Sequence, residues 1–124
     1  MIERWIESVC SRAGWPLPFK NSEDKYRFRI EPDLIIDAWS PDERTLILHA
    51  PVVKLTRDTR DHAIRMAATS VLPRIFKDSS VLSLDTAAQT LGLHRVVTLG
   101  AIRASEFGDV MENFINDLAF YKSL

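Results

Sequence analysis

Between residues 26 and 53 turn-forming residues cut the chain into three short runs, and this constrains the fold more than any other stretch. Tyr26, Phe28 and Ile30 alternate with Arg27 and Arg29, the period of a strand with one dry and one wet face. Glu31, Pro32 and Asp33 then supply a turn. Leu34 to Trp39, LIIDAW, reads as a second strand, closed by Ser40, Pro41 and Asp42, and a third runs from Thr45 to Val53. Three short strands with such tight connections describe an antiparallel meander.

Helical periodicity flanks the meander. Ile2, Trp5, Ile6, Val9, Cys10 and Ala13 recur at steps of three and four, and Gly14 and Pro16 end the pattern. Trp15 to Lys25, with Pro16, Pro18, Asn21 and Ser22, reads as a loop. From Asp58 to Phe76 the apolar positions Ile64, Ala67, Ala68, Val71, Leu72 and Ile75 predict a second helix, with Asp58 or Thr59 as N-cap and Pro73 disturbing its last turn. Val81 to Leu84 and Gln89 to Leu99 read as two further strands, although helix competes for Thr86 to Leu91. Ser105 is placed to cap a final helix whose inner face is Phe107, Val110, Met111, Phe114, Leu118 and Tyr121. The expectation is a single domain spanning residues 1–124, of the α+β class. A mostly antiparallel sheet of about five strands carries three helices on one side, in the order α-β-β-β-α-β-β-α.

Composition narrows what such a domain does. At 46% hydrophobic and 27% charged residues the chain is too apolar for disorder. Lys plus Arg number 16 against 17 Asp plus Glu, so there is no basic excess to attract nucleic acid. Cys10, the single cysteine, has no internal disulfide partner, in keeping with a reducing cytoplasm. Glu3, Arg4, Glu7 and Arg12 interrupt the apolar residues of the N-terminus, so no signal peptide is read there, and no apolar run reaches membrane length.

Motifs for chemistry are missing. His49, His62 and His94 are scattered, with no HExxH and no second cysteine, and no metal site is expected from them. Gly14, Gly92, Gly100 and Gly108 form no GxGxxG or P-loop. Asp61 beside His62 points elsewhere on a helix, no GxSxG occurs, and Asp37 and Asp85 have no partner at a spacing suited to acid–base catalysis. The sequence predicts a binding protein without catalytic residues or cofactor.

Its surface is foreshadowed by the second strand. If helices cover one face of the sheet, the other should be polar, yet Leu34, Ile36 and Ala38 alternate with Ile35, Asp37 and Trp39, and Ile47 opposes Leu46 and Leu48 in the third. Any one of these residues is more simply buried by the chain's own loops, such as the segment of Trp15, Leu17 and Phe19. As a set, Ile35, Trp39 and Ile47 exceed what three helices on one face cover, and Trp5 and Trp15 could extend the patch. Ala63, Ala67 and Ala68 make a small-residue surface suited to core packing or to a twofold-related copy.

In element order and hydrophobic pattern the whole chain resembles the class I chaperones of bacterial type III secretion. The resemblance is sharpest in LHRVVTLGAIRASEFGDVMENFINDLAFYKSL, a last strand, short link and closing amphipathic helix, and in the opening WIESVCSRAGWP. It implies a cytoplasmic, non-catalytic dimer, a homodimer or a heterodimer with a second chaperone. Each protomer would hold an extended segment near the N-terminus of an effector or gatekeeper protein, with neither nucleic acid nor membrane insertion involved. It further implies dimer contacts at Ala63, Ile64, Ala67, Ala68, Val71, Leu72 and Val81, and client contacts at Trp5, Phe28, Ile35, Trp39 and Ile47. The alternatives are a regulatory or adaptor domain that binds a folded partner, and a small enzyme without a recognisable motif.

Overall fold

The structure, a computed structural model, describes residues 2–31, 34–65, 68 and 80–123. Helix α1 (Ile2–Ala13) buries Ile6, Val9 and Cys10. It ends where the sequence places its stop. Gly14 takes a left-handed φ of 72°, which costs a residue without Cβ nothing, and the Trp15 N–H donates to the Cys10 carbonyl (3.0 Å) to close the last turn. Trp15 then lies edge-on to Phe28 at 6.3 Å between centroids.

All strand pairs are antiparallel, in the spatial order β1-β2-β3-β4-β6-β5. Strands β2 (Tyr26–Glu31), β3 (Leu34–Trp39) and β4 (Thr45–Lys54) form the expected meander. The loop read over residues 15–25 contains one addition, a two-residue strand β1 (Phe19–Lys20) against Tyr26 and Arg27. The carboxamide of Asn21 accepts from the N–H groups of Glu23 and Lys25 and shapes the turn between them. Asp42 does the same for Arg44 and Thr45 between β3 and β4. Strands β5 (Val81–Asp85) and β6 (Thr90–Thr98) form a hairpin, and residues 86–89 are a turn in which Asp85 Oδ1 accepts from Ala87 and Ala88. The Thr86 and Ala88 carbonyls accept in turn from the Gln89 and Thr90 side chains, so two amides and two carbonyls of the turn are tied down locally, which is why helix loses at Thr86 to Leu91.

One helix start differs from the sequence reading. Residues 60–65 and 68 are helical and belong to the second helix, α2, which begins directly after Thr59, one of the two expected caps. The Thr59 carbonyl accepts from the Ala63 N–H. A reciprocal turn leads into it: Thr56 Oγ1 accepts from the Thr59 N–H, and Thr59 Oγ1 accepts from the Thr56 N–H in return. Pro73 and the rest of the expected helix lie outside the described residues. The last helix, α3 (Phe107–Lys122), has Glu106 and not Ser105 at its N-cap, because Ala104–Glu106 form a 3-10 turn leading into it.

The core lies between the sheet and helices α1 and α3. Phe107, Met111, Phe114 and Leu118 of α3 are fully buried against Ile36, Ala38, Leu46, Leu48 and Leu93 of the sheet. A smaller cluster of Leu55 and Leu91, with Ala63 and Leu82 packed on it, ties α2 to the β5–β6 end. Asp117 is the one charged residue buried among the described residues, and it accepts a hydrogen bond from Ser80 Oγ (2.9 Å), pinning the start of β5 to α3.

Candidate binding surfaces

Alternation along β3 and β4 gives the sheet two faces. Leu34, Ile36, Ala38, Leu46, Leu48 and Ala50 point inward; Ile35, Asp37, Trp39, Ile47 and His49 point outward and are half-buried. Cross-strand register then sets the outer face in rows. Trp39 pairs with Ile47, and Ile47 with Val96, which is 63% exposed. The next row runs Arg27, Asp37, His49, His94, Val81 across five strands, and Val81 is again 63% exposed.

The two rows differ chemically. In the first, the Lys25 ammonium lies 4.3 Å from the Trp39 ring centroid, so the indole has its own cation on one side while its rim remains apolar. In the second, the Arg27 guanidinium donates to both oxygens of Asp37 (2.9 and 3.2 Å), and this carboxylate raises the arginine further above its ordinary value. The His49 and His94 rings lie 4.6 Å apart between centroids with their planes tilted by 42°, and burial lowers both from the ordinary imidazole value of 6.5. The outer face is thus an apolar ridge beside a fixed polar stripe.

The sequence-based client residues do not form one surface. Ile35, Trp39 and Ile47 share the outer face. Phe28 does not: it pairs with Ile36, faces inward and is 3% exposed, so it belongs to the core. Trp5 stands in the helical layer, packed on Phe107 at 5.8 Å. Of the expected dimer residues, Ala63 is half-buried and Ile64, Ala68 and Val81 are exposed, while Ala67, Val71 and Leu72 lie outside the described residues. Val81 belongs to β5, the last strand of the sheet, whose second edge has no neighbouring strand among the described residues.

One surface was missed. Between α1 and α3, at the end of β2, Val9, Ala13, Trp15, Ile30, Gly108 and Ile115 line an apolar groove of about 480 Å³, rimmed by Arg12, Asp109 and Glu112. The sequence signal was present in Ile115 and Gly108, which fall beside the core stripe of α3 and not on it. Strand β2 meets this groove with a partly open edge, since β1 pairs only with Tyr26 and Arg27. Elsewhere, burial raises the Cys10 thiol above its ordinary value, which keeps it protonated and inert.

A helix, a three-strand meander, a second helix, a hairpin and a closing helix over an open sheet face match a known family model. The Tir chaperone protein (CesT) family model covers residues 4–121. The chain belongs to this family. No curated protein sequence matches it significantly. Among solved structures, the fold is similar to the ExsC–ExsE complex, with a TM-score of 0.74, 16% identity and coverage of 99% of this chain and 92% of that one. It is also similar to the HopA1–SchA chaperone–effector complex, with a TM-score of 0.73, 8% identity and coverage of 99% and 94%. A third likeness is to the Yersinia pestis type III secretion chaperone SycH in complex with a stable fragment of YscM2, with a TM-score of 0.64, 12% identity and coverage of 98% and 99%. At these identities the likenesses establish a shared α+β fold. Among the described residues no helix is long and apolar enough to cross a membrane.

Proposed function

We propose that this chain is a type III secretion chaperone that binds the extended N-terminal segment of an effector or gatekeeper protein and keeps it soluble and competent for export. The observation that carries this reading is the family match over residues 4–121, joined to apolar surface that folding leaves uncovered: the Trp39–Ile47–Val96 row and the α1–α3 groove. Family membership makes the protein a chaperone, and its work is binding without turnover, in the bacterial cytoplasm.

The mechanism follows from what each surface accepts. The groove takes apolar side chains of an extended segment. Beyond Arg27 the open edge of β2 offers backbone donors and acceptors beside Ile30, so the same segment gains main-chain hydrogen bonds by strand addition. Ile35, Trp39 and Ile47 form a second apolar contact on the outer face. A segment held this way is extended and cannot collapse on itself. Protomers associate through α2 and β5, where Ile64, Ala68 and Val81 are exposed, either as a homodimer or with a second chaperone.

The test is co-expression with the N-terminal segments of secreted proteins encoded nearby. Ile35→Asp or Trp39→Asp abolishes client capture while circular dichroism and light scattering show fold and dimer intact. If either variant still co-purifies the client, the outer face is not the client contact.

A further inference from the structure

The α1–α3 groove has apolar walls and a charged rim, and the two make different demands on an occupant. Val9, Ile30 and Ile115 give the walls their apolar character, and Gly108 keeps the groove wide. A Cβ at Gly108 would meet only Val9 Cγ2, at 4.0 Å, so the space above the helix backbone at that point belongs to the groove. The rim is polarised. Asp109 and Glu112, three residues apart on α3, share one face of that helix, and Arg12 faces them from α1. All three side chains are exposed, and among the described residues none takes part in a salt bridge or a side-chain hydrogen bond. On the outer face of the sheet Arg27 and Asp37 satisfy each other. At the groove, two carboxylates against one guanidinium leave the rim net negative, with the negative charge gathered on the α3 side.

We propose that the groove selects extended segments in which an apolar anchor has Lys or Arg two positions away. The inference rests on the reading of this groove as a client contact and names the client's chemistry. The spacing follows from strand geometry: in a segment added along the edge of β2, side chains i and i+2 point to the same side, roughly 6.5–7 Å apart. When one of them fills the groove over Ile30 and Ile115, the next on that side reaches the rim. There Asp109 and Glu112 accept hydrogen bonds from an ammonium or guanidinium. A carboxylate at the same position meets two like charges, and Arg12 on the opposite side offsets only part of that repulsion. Exposed rim charges add little to affinity in water and act mainly by rejecting wrong partners and speeding encounter. The apolar anchor therefore supplies most of the binding, and the basic flank supplies the choice.

The test uses three short synthetic peptides with a central Leu, Ser and Thr at most other positions, and Lys, Gln or Glu two positions to either side of the Leu. Each is titrated into the full chain at low salt and followed through the methyl resonances of Ile30 and Ile115. The lysine peptide should bind about tenfold more tightly than the glutamate peptide, with glutamine between them, and the gap should narrow as salt is raised. Asp109→Asn combined with Glu112→Lys reverses the order. Gly108→Leu fills the groove and loses all three peptides while its circular dichroism stays that of the native chain. The peptide series on the unaltered protein stands apart from any effect of a substitution on folding. Equal binding of the three peptides, an unchanged order in the double variant, or no shift of Ile30 and Ile115 with any peptide overturns the inference. Capture of a co-encoded client without any preference among the peptides defeats the selectivity and leaves the chaperone reading standing; lysine preference without client capture does the reverse.

Discussion

The two faces of β3 and β4 are built from nearly the same residues and differ in what covers them. Inward, Ile36, Leu46 and Leu48 are 0% exposed beneath α1 and α3. Outward, Ile35, Trp39 and Ile47 are half-buried, and among the described residues none of them belongs to the core. The inner face is stabilised by burial at about 25 cal/mol per Å² of apolar surface. The outer face contributes much less to folding, and its apolar side chains are available to a partner. Hydrophobicity in a strand thus signals folding or binding according to which layer lies over it.

Substitutions separate the two roles. The largest effect is expected on the inner face, where Ile36→Ala loses about 2–5 kcal/mol in urea unfolding, the burial term plus the cavity it leaves. Ile47→Ala on the same sheet should cost only about 1 kcal/mol; equal losses would mean that the outer face is also core. Gly92→Ala comes next, at about 1–3 kcal/mol, since the added Cβ meets His49 Nε2 and the imidazole must leave its place. A wild-type stability for that variant would show that His49 moves freely.

A smaller effect concerns pH. The folded state lowers His49 and His94 below 6.5 by burial, so the unfolded chain binds protons first as pH falls. Their contribution is fully present above the unfolded value of about 6.5 and is lost as pH drops through the lower folded values. Unfolding free energy measured between pH 7.5 and 5 (about these limits) should fall with pH, and more shallowly in His49→Gln. A steeper fall in the variant contradicts this. Smallest of all is Arg27→Ala: the Arg27 side chain is 51% exposed, so loss of its pair with Asp37 costs about 0–1 kcal/mol in the same assay.

How far the sequence revealed this follows from which interactions are local. Periodicity and turn residues placed β2, β3, β4, α1 and α3, because alternation, Gly14 and the stripe from Phe107 to Tyr121 act within one element. Phe28 was misplaced because alternation gives the phase of a strand but not which phase is covered; that is decided by its register against Ile36. Strand β1 is two residues long and shows no period. The His49–His94 pair and the α1–α3 groove depend on contacts between elements distant in sequence, and spacing within any single motif is blind to both.

The central claim is that surface left uncovered by folding holds an extended export client. It is tested most directly by purifying the chain with the N-terminal segment of a co-encoded secreted protein and weighing the complex by light scattering, with and without Ile35→Asp. The account predicts a dimer that carries the segment, and a variant that remains a dimer but arrives without it. A chain that is monomeric with or without the segment, or a variant that retains the segment, contradicts the account.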